Sequence, residues 1–314
     1  MKQSKIIRAV IPAAGFGTRL RPLTDAIPKE LLPIGRKTVL HHVLAELQNA
    51  GIEQVLFVVS ERKPQIRACF GDEFTGDAAL PPLHCDYVNQ TAMRGSGDAV
   101  SLAEEWTAGE SFIVAFGDCF IEAGNEGAEP LRRLMKTHTE QNAASTVLVE
   151  AIDREKVSRY GVVAPLENLP EPVTEPFALR DLVEKPTVED APSNLVVAAR
   201  FALSPQIFDA LRRAENDLRG EQNLPDAMRL LLREGGSTWA VPLRPGEARR
   251  DIGSFDTFFA AFVRAALQDP EASASVREEF LTQRTQRRNT EDIEGKGNRQ
   301  KGREKRNQSA DYAD

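Results

Sequence analysis

No stretch of the 314-residue chain is apolar for long enough to span a bilayer. Met1 to Ala9 lacks the apolar core and small-residue cleavage site of a secretory signal. Cysteine is scarce: Cys69, Cys85 and Cys119 are odd in number and stand in no metal-ligand spacing, so packing is their expected role. Basic excess is missing too. The formal net charge is −7, a poor match to general nucleic-acid binding, which needs a basic surface to displace phosphate counterions. No internal repeat is present. These absences point to a cytoplasmic globular protein, without nucleic-acid or membrane partners, whose cations are local to a pocket. At 41% hydrophobic and 28% charged, the chain suits one large domain or two modest ones.

The apolar patterning alternates between strand and helix. Ile6 to Ile11, Val55 to Ser60, Leu83 to Asn89, Phe112 to Phe116 and Thr146 to Ala151 read as strands. Val39, Leu40, Val43, Leu44 and Leu47 recur at helical spacing and stop at Gly51. Ala99 to Trp106 and Leu131 to His138 also read as helices. This is an α/β pattern: a Rossmann-like three-layer αβα arrangement around a mixed, mostly parallel sheet, with ligands at the carboxyl ends of its strands. After Tyr160 the strands shorten, at Gly161 to Ala164, Leu182 to Glu184, Val196 to Leu203 and Thr238 to Val241. Helices are expected at Pro205 to Arg213, Pro225 to Glu234 and Phe255 to Leu267. The organisation expected is one domain over 1–268, with a first half to about 150 and a smaller β extension after it. From 269 to 314 the chain is polar and charged, with a short helical piece possible around Phe280-Leu281; too little apolar surface is available to offset its ordering entropy, so a disordered, solvated tail is expected.

The first strand opens into Pro12-Ala13-Ala14-Gly15-Phe16-Gly17-Thr18-Arg19-Leu20, and Lys29 follows in Ile27-Pro28-Lys29-Glu30. Small residues let backbone N–H groups approach an anion, and Arg19 and Lys29 add charge. A dinucleotide-binding loop lacks its third glycine here, and the Gly-Lys-Ser/Thr ending of a Walker loop is absent.

With its continuation to Leu31-Leu32-Pro33, this segment resembles the sugar-1-phosphate nucleotidyltransferases. Ile11 to Gly15, Ile27 to Glu30, and Ala191-Pro192-Ser193-Asn194 to Arg200-Phe201-Ala202-Leu203-Ser204 look most like the bacterial branch acting on UTP and glucose 1-phosphate. The resemblance spans roughly Arg8 to Leu267. It implies that Ala13, Ala14, Gly15, Gly17 and Thr18 approach the nucleotide, that Gln90 and Gly95 read the base, and that Asp118 and Asp251 share one Mg²⁺. Lys185 would contact the sugar phosphate. Glu184, Gly161 and Asn194 would face the sugar, making residues to about 150 the nucleotide half and about 151–268 the sugar-binding half.

Residue chemistry agrees with those assignments, while other roles stay open. Asp118, after a central strand, could instead be a cap, as could Asp251, although Ser254 suits that better. Glu184 and Lys185 before Pro186 could be an exposed charged pair. Gln90 offers both a donor and an acceptor to a uracil or thymine edge. Four departures from the branch stand out. Met93 and Asp98 occupy positions where Pro and His are usual, Cys119 replaces a second Asp after Asp118, and Asn223 replaces a Gln. The resemblance implies an enzyme joining UTP and glucose 1-phosphate into UDP-glucose and pyrophosphate, and oligomers are common in the family. The alternatives are another base or hexose, such as dTTP with glucose 1-phosphate, a non-catalytic nucleotide-sugar binder, or an NAD-binding oxidoreductase.

Overall fold

The protein is described by a computed structural model over residues 5–124, 128–216 and 220–279. It divides into two compact units, Met1–Ala261 and Phe262–Asp314. The strands are β1 (Arg8–Pro12), β2 (Pro33–Ile34), β3 (Lys37–Thr38), β4 (Gln54–Val59), β5 (Glu73–Phe74), β6 (Leu83–Asn89), β7 (Phe112–Ala115), β8 (Cys119–Ala123), β9 (Ser145–Ala151), β10 (Gly161–Pro165), β11 (Phe177–Glu184), β12 (Leu195–Leu203), β13 (Thr238–Pro242) and β14 (Glu247–Asp251). The helices are α1 (Leu23–Ala26), α2 (Val39–Ala50), α3 (Pro64–Phe70), α4 (Ser96–Ser101), α5 (Glu104–Thr107), α6 (Glu129–Glu140), α7 (Gln206–Arg213), α8 (Leu224–Arg233) and α9 (Phe255–Gln268).

Ten strands form one sheet in the order β10-β11-β13-β9-β12-β7-β1-β4-β6-β5. From β7 to β6 the neighbours are parallel. β12 then runs antiparallel to both β7 and β9. The chain leaves β1 toward β4 on one side and returns to β7 on the other, so the crevice between the β1 and β7 loops is the topological switch where α/β sheets bind ligands.

Alternation along the central strands makes the three layers. Ala9 and Ile11 of β1, with Ile113 and Ala115 of β7, pack into a core with Leu40, Val43, Leu44 and Leu47 of α2 and Leu131 and Leu134 of α6. Val10, Phe112 and Val114 face the other way, toward α4, α7 and α8. Each such fully buried side chain contributes about 1.5–3 kcal/mol. Helix α2 forms where the 3.6-residue pattern places it. The Thr38 side chain accepts from the His41 N–H at 3.3 Å, and Gly51, at φ 87°, closes the other end.

One expected helix is broken. Over Ala99 to Trp106, the Ser101 hydroxyl donates to the Asp98 carbonyl at 2.7 Å and the Ala103 N–H bonds the Val100 carbonyl, so α4 and α5 are separate short pieces. A ribbon outside the main sheet, β8 with β14, was not legible in the sequence.

Among the described residues no helix is long and apolar enough to cross a membrane. In the second unit, the Asp269 carboxylate accepts from the N–H groups of Glu271 and Ala272, both at 2.9 Å, and residues 273–279 are helical. The rest of the expected tail, including Phe280-Leu281, lies outside the described residues.

Candidate active site

The loop after β1 is anchored from below. Ala13 donates its N–H to the Val58 carbonyl at 2.8 Å, and its own carbonyl accepts from Lys63 Nζ at 2.8 Å. Lys63 is paired with Glu30 at 2.8 Å, both nearly sealed from solvent. Burial pushes the Glu30 carboxyl up and the Lys63 ammonium down, with their mutual attraction opposing both shifts. Ala13 and Ala14 are buried, whereas Gly15, Thr18 and Arg19 are exposed on the loop crest. Gly17 takes φ 65°, and a Cβ there would come within 3.0 Å of Thr24 Cγ2. Only glycine makes this bend without strain.

Lys29 extends from the short 3-10 turn Lys29–Leu31 and donates to Asp118 Oδ2. Burial favours the neutral forms of both partners. For Lys29 the charges of Asp118 and Glu30 override it and raise its ammonium above the ordinary range, while Lys29 in turn holds the Asp118 carboxyl below its ordinary value. The ribbon then delivers Asp251. It pairs in register with Cys119, and the Ile252 N–H donates to the Asp118 carbonyl at 3.2 Å. Burial first, and the Asp118 charge second, push the Asp251 carboxyl up. Two hard oxygen donors that repel one another in a desolvated pocket are a fit for one divalent cation, which needs few protein carboxylates.

A cavity of about 270 Å³ joins these acids to residues of the later strands; Asp118, Asp251, Gly161, Glu184, Lys185 and Asn223 all line it. Gly161 pairs with Glu184 across β10 and β11, and a Cβ at Gly161 would lie 3.1 Å from Glu184 Oε2. Lys185 holds a left-handed backbone, φ 46°, and donates from Nζ to Glu184 Oε1 at 2.6 Å. Asn194 is not brought there. It is exposed, its carbonyl accepts from the Ile152 N–H at 3.1 Å, and it lines a separate cavity of about 790 Å³.

Gln90 follows β6 at the same strand ends as Ala13, donating its backbone N–H to the Val59 carbonyl at 2.8 Å. Gly95, at φ 105°, meets the Gln222 carbonyl so closely that any Cβ would collide with it. The strap before α8 therefore crosses the turn carrying Gly95 and Gly97.

Residues 8–267 match the nucleotidyl transferase family profile. The chain belongs to the nucleotidyl transferase family. It is similar to the UTP--glucose-1-phosphate uridylyltransferase of Streptococcus pyogenes, 32% identical over 87% of this chain and 93% of that protein. The Streptococcus pneumoniae serotype 4 protein of the same name is 33% identical over 85% and 93%. Among solved structures, a UDP-glucose pyrophosphorylase from Acinetobacter baumannii superposes with TM-score 0.77 at 26% identity, over 88% of this chain and 99% of that one. A UDP-glucose pyrophosphorylase complexed with UDP-glucose gives 0.74 at 28%, over 84% and 100%.

Several residues of this nucleotidyl transferase escaped sequence reasoning. Arg249 stacks over the Tyr160 ring at 4.2 Å and lies 3.6 Å from Asp251. Arg200 is fully buried, bonded to Glu46 at 2.9 and 2.7 Å and to the Cys119 carbonyl at 2.9 Å. It holds the start of β8, and hence Asp118, against α2. The only signal was one Arg in an apolar strand, which says nothing of its partner 154 residues away. Cys119, already singled out in the sequence, lines the cavity, and burial pushes its thiol up to about 12, so it stands there as a neutral group.

Proposed function

We propose that this nucleotidyl transferase moves a uridylyl group from UTP to glucose 1-phosphate, giving UDP-glucose and pyrophosphate. The carrying observation is one cavity lined by Asp118, Asp251, Glu184 and Lys185, with Lys29 bonded to Asp118. The similarity to uridylyltransferases that cover nearly the whole fold supports the choice of substrates.

Asp118 and Asp251 would hold Mg²⁺, which when bound neutralises charge on the triphosphate oxygens. The chain supplies the rest. Arg19 and Lys29 screen the phosphates, with Gly15, Gly17 and Thr18 offering backbone close to them, while Ala13, Ala14, Gln90 and Gly95 flank the base. Lys185 meets the phosphate of the sugar as a point charge, and Glu184 accepts from sugar hydroxyls beside the bare Gly161 backbone. A sugar-phosphate oxygen attacks the α-phosphorus in line, the bond to the β-phosphate bridge breaks, and pyrophosphate leaves with that electron pair. No general base is required, because the sugar phosphate is already ionised; alignment and fixed charge do the work. Asn194, away from the cavity, would act only through the loop that carries it. The three free cysteines suit a cytoplasmic setting.

The test is pyrophosphate release with Mg²⁺ from UTP, dTTP, CTP, GTP and ATP against glucose, galactose, mannose and N-acetylglucosamine 1-phosphates. UTP with glucose 1-phosphate should dominate. Silence across the set would favour a non-catalytic binder, and a dominant different pair would replace the substrate assignment.

A further inference from the structure

Asp98 departs from the family pattern, and an acid near a triphosphate needs a reason to be there. It faces elsewhere. Its Oδ1 is held by Arg94, at 3.1 Å from Nε and 3.0 Å from Nη2, and its Oδ2 accepts from Gln90 Nε2 at 2.7 Å. The same Gln90 nitrogen also donates to the Gly95 carbonyl at 3.2 Å. A carboxylate bound to Arg and a backbone carbonyl can only accept, so the orientation of the Gln90 amide is dictated by its partners. Both Nε2 hydrogens are used. Whatever else the Gln90 side chain meets, it meets as an acceptor, through Oε1.

We infer that Asp98 is a specificity-determining positioning residue: it locks the Gln90 amide so that only Oε1 faces the nucleotide base, selecting a base with N–H at N3. This rests on the proposed placement of the base beside Gln90. Uracil and thymine carry a hydrogen on N3; cytosine carries a lone pair there. Against a fixed acceptor the first two form a hydrogen bond, and cytosine sets two lone pairs together in a nearly sealed site, where an unmade bond is expensive. A glutamine free to turn would serve either base. Asp98 removes that freedom, the Arg94 pair keeps the carboxylate in place, and Gly95, which tolerates no side chain, fixes the second acceptor.

The lock makes a prediction that general damage to the site would not. It separates UTP from CTP and leaves UTP against dTTP untouched. The experiment is equilibrium binding of UTP, dTTP and CTP to the full chain by calorimetry, with pyrophosphate release in parallel, for wild type, Asp98→Asn and Gln90→Leu. Wild type should prefer UTP over CTP by a factor on the order of 10³. Asp98→Asn presents either a donor or an acceptor, allows the Gln90 amide to turn over, and should reduce that ratio at least tenfold with the UTP to dTTP ratio unchanged. Gln90→Leu should abolish it, which keeps the test decisive if Asp98→Asn does not fold. A UTP to CTP ratio in Asp98→Asn within twofold of wild type, or a wild type that prefers CTP, overturns the inference. Binding discrimination without pyrophosphate release would leave the lock standing and remove the proposed reaction instead.

Discussion

On the proposed nucleotide side β7, β1, β4 and β6 run parallel, and the candidate residues Ala13, Gln90 and Asp118 each sit within three residues beyond a strand's carboxyl end. On the proposed sugar side the strands around β12 are mainly antiparallel, and Glu184 and Asp251 belong to strands themselves. The first half displays its chemistry on turns whose position follows from chain direction. The second builds it from register, so a residue reaches the cavity only because its strand pairs with a particular partner. Arg200 joins the two: its strand pairs with β7, and its guanidinium ties the Cys119 carbonyl to Glu46.

Breaking the nucleotide side at its charged centre should cost most. Asp118→Asn removes a carboxylate without changing shape, and turnover should fall about 10³- to 10⁴-fold by pyrophosphate release, with the melting temperature close to wild type. Breaking the join should act on stability instead. Arg200→Met leaves Glu46 as an unpaired buried charge and should lower unfolding free energy by about 3–5 kcal/mol in a urea titration.

The core offers a pH test. His138 projects from α6 against β9, with Nδ1 3.1 Å from the Thr146 hydroxyl, and burial lowers its pKa from 6.5 to about 4. The unfolded chain therefore binds a proton between those values and the folded one does not. Stability should fall by about 3 kcal/mol as pH drops from 6.5 toward 4, and His138→Gln should flatten that slope in pH-dependent melting. A smaller effect sharpens the division of labour between the halves. Lys185→Ala should raise KM for the sugar phosphate about 30-fold, about 2 kcal/mol of binding, while leaving KM for the nucleotide within about twofold, as expected for loss of one charge-assisted contact.

The same contrast explains what could be read without coordinates. The glycine loop, Lys29 and the Asp after β7 are local signals, and the helical stripe ending at Gly51 placed α2 within a residue or two. The meeting of Asp118 with Asp251 depended on resemblance, because the ribbon that pairs residues 119–123 with 247–251 has no periodic signature of its own. The buried pairs Glu30–Lys63 and Arg200–Glu46 were invisible for a related reason: a charge in a sequence looks solvated until its partner is known. Asn194 shows the reverse case. A motif position alone suggested a sugar contact, and in the fold Asn194 lines a different cavity from Glu184 and Lys185.

Two acids far apart in sequence, Asp118 and Asp251, are proposed to complete one cation site. The direct measurement is Mn²⁺ binding to the full chain with UTP, counted by electron paramagnetic resonance, for wild type, Asp118→Asn and Asp251→Asn. One tightly held ion per chain in wild type, weakened at least tenfold in each variant, is predicted. An Asp251→Asn protein that holds Mn²⁺ as tightly as wild type would contradict it.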